Sequence, residues 1–366
     1  MDICPVFSPL TTYAHPSDLL DPGKIVQVKR AAVHTGGSVG NTGLALKLLG
    51  NDVQLIGKIG SDAFGSIVQS DLQQAEAADH LIVDKNNSTA YSIFISVPGT
   101  APFILHNAGA NEFFMNTDVP DSALLNAELF HFGYPPIMRG MYQDDGIELA
   151  TLFRRAKTFG CITSMDFSSL DPDSDGGMTD WPTILKGVLP YVDFFIPRFA
   201  DLCWVLDRDR YYALLGDATP SDITDHVVLR RDAAPLAKWA LEQGCGAVLV
   251  KSGTTGLYLR TSCQERVSRF CDGHGLNTRL WANRELVQPS FKADSFLSDT
   301  GAGEVCVAAF LTALLDGERP DACVSLAAAE GASCVSSSEV LGGLLTIPQL
   351  KRLILAGWEY NTPADA

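Results

Sequence analysis

An α/β fold with a mainly parallel sheet, helices on both faces and a small half-buried β element follows from three features of this 366-residue sequence. Short glycine-bounded apolar runs alternate with segments of helical periodicity through most of the chain, the pattern of repeated strand–helix–strand units. Two stretches, 25–33 and 91–97, instead alternate apolar and polar residues with period two, which suits antiparallel strands with one wet face. With 46% hydrophobic and 19% charged residues, the chain can fill one large α/β domain with an appendage, or two domains.

Taken in order, 25–33 reads as a half-buried strand, and Thr35-Gly36-Gly37-Ser38-Val39-Gly40-Asn41-Thr42-Gly43 as a turn opening a helix over 44–49 that Gly50 ends. A strand over 53–56 leads to a helix over 63–75. The period-two run 91–97 continues through Pro98-Gly99-Thr100 into 103–106, as a hairpin would. Then come a strand at 129–132, a helix at 146–158 ending at Gly160, a strand at 161–167, a helix at 181–189 with Pro190 beyond, and a short strand at 194–197. A helix over 233–243 is stopped by Gly244, and 247–251 is a β-branched strand that returns, after a glycine turn, through 257–259. Two polar segments, 207–232 and 262–289, read as surface excursions. No internal repeat is evident.

A net charge of −16 repels phosphate backbones, which disfavours nucleic acid but not a nucleotide held by local dipoles and Mg2+. The nine cysteines include no CxxC, and several sit in apolar runs, as reduced core residues of a cytoplasmic protein do. Cys263 and Cys271 with His274 lack a fourth ligand for zinc. No run reaches membrane-spanning length and no leader pattern opens the chain, so no membrane is expected.

Ser298-Asp299-Thr300-Gly301-Ala302-Gly303-Glu304 carries the most chemistry: a glycine loop running into the apolar helix that begins around Val305. Glycine admits an anion close to the backbone, the first helical amides have no internal partner, and the dipole adds positive potential there. A carboxylate beside such a spot suits a reaction in which negative charge develops next to a base. A carboxylate that merely favours the dipole is the alternative. The turn at 35–43 lacks G-x-G-x-x-G spacing, so a dinucleotide site, and with it a nicotinamide dehydrogenase, is disfavoured. Asp166 ends a core strand, where ligands of open α/β sheets collect; a helix cap is the other reading.

These segments resemble the two signatures of the ribokinase-like (PfkB) carbohydrate kinases. Gly36, Gly37 and Asn41, followed by Ile56-Gly57-Lys58-Ile59-Gly60-Ser61-Asp62-Ala63-Phe64-Gly65, resemble the first, and 299–304 resembles the second, D-T-x-G-A-G-D, with Glu304 in place of its final Asp. The resemblance covers most of the chain, from Asp2 to about Gly343.

It implies a three-layer α/β/α ribokinase-like core over 36–85 and 112–350, a small β lid over 1–35 and 86–111, and a C-terminal tail over 351–366. It implies that Asp2, Gly36, Gly37 and Asn41 bind a sugar, and that Glu304 takes the proton from its hydroxyl. The amides of Gly301, Ala302 and Gly303 would hold the transferring phosphoryl group, and Lys251, Gly253 and Gly256 would lie near ATP. Asp201, in Ile196-Pro197-Arg198-Phe199-Ala200-Asp201, stands where the family has a Glu that organises Mg2+ and phosphate, and Arg198 replaces the family's Asn or Ser. The small-residue run 327–332 would lie beside the adenine. ATP, Mg2+ and, in some members, a monovalent cation are the implied cofactors, and an exposed lid is compatible with a homodimer. The family's first strand precedes the Asp that Asp2 matches, so a start upstream of Met1, or a sheet short of one strand, is expected. Two functions stay open: ATP-dependent phosphorylation of a sugar or nucleoside-like sugar, and a relative that binds sugar or nucleotide without turnover, which the changes at Glu304, Arg198 and Asp201 would fit.

Overall fold

The computed structural model describes residues 1–7, 22–96, 103–168, 170–216, 223–337 and 340–361. The chain divides into two compact units, one of residues 1–40 and 54–113, the other of 41–53 and 114–366.

The first unit holds strands β1 (Asp2–Cys4), β2 (Ala32–His34), β3 (Ile56–Gly60), β4 (His80–Asp84), β5 (Tyr91–Ile95) and β6 (Phe103–Asn107). Four of them form a sheet in the order β2-β1-β5-β6, while β3 and β4 pair in parallel as a separate two-stranded sheet. The hairpin expected from period two is β5 against β6, antiparallel, with its turn outside the described residues. The strand expected over 25–33 shrinks to β2, and the one expected over 53–56 shifts forward to β3. β1 begins at Asp2 and is paired on both sides, with β2 and with β5. The helix Ala63–Gln74 starts at Asp62, whose carboxylate accepts from the amides of Gly65 and Thr89 and so ties the helix start to the approach to β5.

The second unit is built on six strands: β7 (Leu129–Phe132), β8 (Ile162–Phe167), β9 (Phe194–Pro197), β10 (Ala247–Ser252), β11 (Gly256–Thr261) and β12 (Glu285–Gln288). Their order is β12-β11-β10-β9-β8-β7. β7 to β10 run in parallel, and β11 and β12 are antiparallel additions at one edge. β8, β9 and β10 are buried along their whole length, which is why they read as continuous apolar runs. Consecutive residues serve opposite layers. Phe194 packs on Phe270, Trp281 and Phe310, whereas Phe195 meets Phe167, which stacks edge-on against Trp181. Helices therefore cover both faces, as the fold class requires.

The segment 262–289 is not a surface excursion. It folds into the helices Gln264–Cys271 and Thr278–Trp281 and the edge strand β12, with Val267, Phe270 and Trp281 in the core. Its polar composition belongs to the outer faces of short amphipathic elements. The segment 207–232 likewise contributes the helix Arg208–Leu215 and the start of the helix Leu229–Glu242.

The helix Ala302–Leu315 is buried on every side from Val305 to Leu314 and lies against the helices Leu44–Leu48 and Pro320–Cys334. Asn51 anchors it further, donating to Thr312 Oγ1 at 2.8 Å. An element packed this way holds whatever its first turn presents in a fixed place.

Candidate active site

Gly301 sits in the left-handed region, φ +83°, as the residue before the helix Ala302–Leu315, and a Cβ built on it would lie 2.1 Å from Val340 Cγ1. Glycine is thus demanded twice, by backbone angle and by space. The Ala302 amide donates to the Asp299 carbonyl at 3.2 Å and the Val305 amide to the Gly301 carbonyl at 3.0 Å. The amides of Gly303 and Glu304 lie in the first helical turn, where no carbonyl four residues back belongs to the helix. Of the three amides expected at an anion, that of Ala302 is turned to Asp299.

The loop is met by the carboxyl ends of the parallel strands. Arg198, just past β9, bridges to Lys251 near the end of β10, and its amide donates to the Phe167 carbonyl at the end of β8. Lys251 Nζ lies 2.7 and 2.8 Å from the two carboxylate oxygens of Asp166, a pair buried at both ends. The same Nζ is 3.8 Å from where a Cβ on Gly303 would stand, so the ammonium adjoins the glycine loop. Burial raises the Asp166 carboxyl, Lys251 pulls it down and the charges of Glu304 and Asp201 push it up, leaving it at about 6.

Glu304 is half-buried and accepts from the Tyr134 phenol, Oη to Oε1, at 2.7 Å. Arg198 Nε is 3.9 Å from Asp201 Oδ2. The charge of Arg198 answers chiefly to Asp201, with Glu304, Asp166 and Asp299 adding to it. Six charged side chains from four separate sequence regions, Asp166, Arg198, Asp201, Lys251, Asp299 and Glu304, therefore share one electrostatic neighbourhood. Among the described residues no group of three or more His, Cys, Asp or Glu is placed to hold a metal by itself.

Gly253 and Gly256 shape the β10–β11 turn. Gly253 has φ +49°, and a Cβ on it would come 3.0 Å from Thr224 Oγ1. Gly256 has φ +116°, and a Cβ there would stand 2.1 Å from the Gln288 carbonyl of β12. Backbone packing thus accounts for Gly256 without a ligand.

In the first unit, Asp2 and Gly36 come together: a Cβ on Gly36 would fall 1.9 Å from Asp2 Oδ2, so only glycine leaves room for that carboxylate. Strand register sets His34 and Ser92 opposite Asp2, and His106 opposite Ser92, giving a polar row across the four-stranded sheet. Ser92 Oγ and His106 Nδ1 are 3.0 Å apart. Gly37 has φ +69° and open space around it. Asn41 belongs to the second unit and is buried.

Sequence reasoning missed Tyr134. Its only signal was its place just past the carboxyl end of a parallel strand, shared with Asp166 and Arg198.

A family model described as "pfkB family carbohydrate kinase" matches residues 10–346. Among solved structures, a ribokinase from Arabidopsis thaliana complexed with ribose and ATP is 18% identical, with 96% of this chain and 95% of that one covered and a TM-score of 0.66. A fructokinase from Xylella fastidiosa with bound ATP is also 18% identical, with 97% and 95% covered and a TM-score of 0.67. A candidate ribokinase II from E. coli in complex with ATP and Mg2+ is 16% identical, with 97% and 96% covered and a TM-score of 0.65. At such identities the structures establish a shared fold.

Proposed function

The chain belongs to the pfkB family of carbohydrate kinases, and from that premise we propose that it transfers the γ-phosphoryl group of ATP to a hydroxyl of a sugar or nucleoside-like sugar. The observation that carries the reading is a carboxylate, Glu304, in the first turn of a rigid helix whose glycine loop adjoins the Lys251 ammonium. The acceptor oxygen attacks phosphorus, the bond from phosphorus to the bridging oxygen breaks, and ADP leaves with that electron pair. Glu304 takes the hydroxyl proton. The amides of Gly301 and Gly303, the helix dipole and Lys251 face the charge that gathers on the phosphoryl oxygens.

Asp2, Gly36, Gly37 and Asn41 are the proposed acceptor contacts, and excluding water there would keep it from competing as acceptor. Lys251 and the Gly253 turn are the proposed nucleotide side. Asp201 fits Mg2+ that arrives on the triphosphate, since Mg2+ in such sites takes one or two carboxylates beside substrate oxygens; bound there, the ion would neutralise phosphate charge. Nine unpaired cysteines, most of them buried, suit a cytoplasmic enzyme. The β6 edge, with Phe103, Ile104 and Leu105 exposed, suits self-pairing into a dimer.

The test is ATP turnover with Mg2+ against a panel of sugars and nucleosides, with binding read in parallel by thermal shift. Turnover with one acceptor, lost by about 100-fold or more in Glu304→Gln, is the expected result. Binding of acceptor and ATP with no turnover anywhere in the panel would sink the kinase reading. It would favour the second one, a binding protein, to which the Arg198–Asp201 pair and the Glu at position 304 already lend weight.

A further inference from the structure

Glutamate at position 304 raises a positioning problem. Compared with aspartate it has one more methylene and one more rotatable bond, so its carboxylate reaches farther and samples more places. A displacement of about 1 Å at a reacting centre can cost about 100-fold in rate. One contact answers that problem. Tyr134 lies 170 residues away in sequence, and its phenol donates to Glu304 Oε1 at 2.7 Å. The Tyr134 side chain is itself fixed: it is buried at 4% exposure, two residues past the end of β7, and the buried Pro135 and Pro136 follow it. A carboxylate has two oxygens and about four acceptor sites, so a bond to Oε1 leaves Oε2 to receive a proton.

We propose that Tyr134 is the positioning residue of this site, its phenol fixing the Glu304 carboxylate so that a longer side chain serves where the family uses aspartate. The proposal rests on the reading of Glu304 as the base. It assigns Tyr134 no proton transfer, only the orientation of the group that makes one. An aspartate at 304, shorter by a methylene, would not reach the same phenol without a shift of the helix Ala302–Leu315, which is locked by packing on all sides. The role of Tyr134 is therefore specific to glutamate. A tyrosine that merely filled space would serve either side chain equally.

The experiment is a double-mutant cycle of Tyr134→Phe and Glu304→Asp in the full chain, with kcat and KM for the acceptor that the panel identifies and for ATP. Unfolding midpoints of all four proteins are measured alongside. Tyr134→Phe is expected to lower kcat by about 10- to 100-fold, the range of one hydrogen bond to a charged group, with both KM values held within about 3-fold. In the Glu304→Asp background the same change is expected to cost less than about 3-fold. An unchanged kcat in Tyr134→Phe overturns the proposal, and so does an equal loss in both backgrounds. Should the Phe variant not fold, 3-fluorotyrosine at position 134 replaces it. That substitution alters phenol acidity at nearly constant volume, and a kcat that ignores it overturns the proposal as well. Glu304→Gln separates the two levels of inference: full turnover in that variant refutes Glu304 as the base, whatever Tyr134 does.

Discussion

Replacing Lys251 by Met should destabilise the protein by an amount that depends on pH. Met keeps most of the alkyl stem and removes the ammonium that Asp166 faces at 2.7 Å. Asp166 already stands raised from 3.8 to about 6 with Lys251 in place, chiefly by burial. A carboxyl whose folded value lies above its unfolded one favours the native state while it is protonated. That contribution is full below about 3.8 and is lost as pH rises through about 6.

Without Lys251 the folded value climbs further, and Asp166 takes up a proton rather than remain a lone buried charge. The additional cost is then bounded by the work of protonating it, about 1.4 kcal/mol for each pH unit above 6. The expected penalty is therefore near zero at pH 5 and about 3 kcal/mol at pH 8. That lies at the lower end of the range of about 3–5 kcal/mol for breaking a buried pair. Urea unfolding of both proteins across that range measures it. The double variant Asp166→Asn/Lys251→Met should recover most of the loss at pH 8, because two neutral groups of similar volume leave no charge unpaired. A Lys251→Met penalty of equal size at pH 5 and pH 8, or additive losses in the double variant, would refute the assignment of Asp166 as the group that Lys251 neutralises.

Two further outcomes follow from the same region. Gly301→Ala forces a Cβ into the left-handed region and to within 2.1 Å of Val340, and should cost about 2–4 kcal/mol in urea unfolding together with most turnover. Val340→Ala in that background should return the part due to the clash and leave the part due to φ. Glu330 is fully buried and accepts from the Leu345 amide; burial pushes it up to about 8. Its stabilising protonated form is fully present below about 4.5 and lost as pH rises through about 8. Glu330→Gln should therefore match the parent near pH 5 and exceed it by about 4 kcal/mol near pH 9. A difference that ignores pH would place the Glu330 proton elsewhere.

The parallel strands of the second unit were legible because they are short apolar runs bounded by glycine or proline, three of them buried along their whole length: Phe194–Pro197 and the half-buried edge strand Leu129–Phe132 both fall where the apolar runs do. The segment 262–289 was not, because short helices with a single buried stripe and a four-residue edge strand carry as many polar as apolar residues. Within the site, the glycine loop and Glu304 could be read because they lie together in sequence and their chemistry is local. The Asp166–Lys251 pair could not be read, since it joins residues 85 apart across two strands, and neither side chain names its partner. Tyr134 was less legible still. A tyrosine after a strand has many uses, and only the folded chain directs its hydroxyl to a carboxylate 170 residues on.

The departures at Glu304 and Arg198 become one feature when the charges are counted. Asp166, Asp201, Asp299 and Glu304 bring four negative charges to the neighbourhood, and Lys251 and Arg198 bring two positive ones, so the side chains leave it two units negative. A triphosphate entering a chain of net charge −16 finds no surplus of cationic side chains. Its binding would have to come from what formal charges omit: the partial positive charge of about half a unit at the helix terminus, the loop amides, and a divalent ion carried in with the phosphates. An asparagine or serine at position 198 would leave the balance at −3 and remove the guanidinium that faces Asp201. On this reading Arg198 offsets a carboxylate cluster, and Tyr134 holds the longest member of that cluster in place without adding any charge to it.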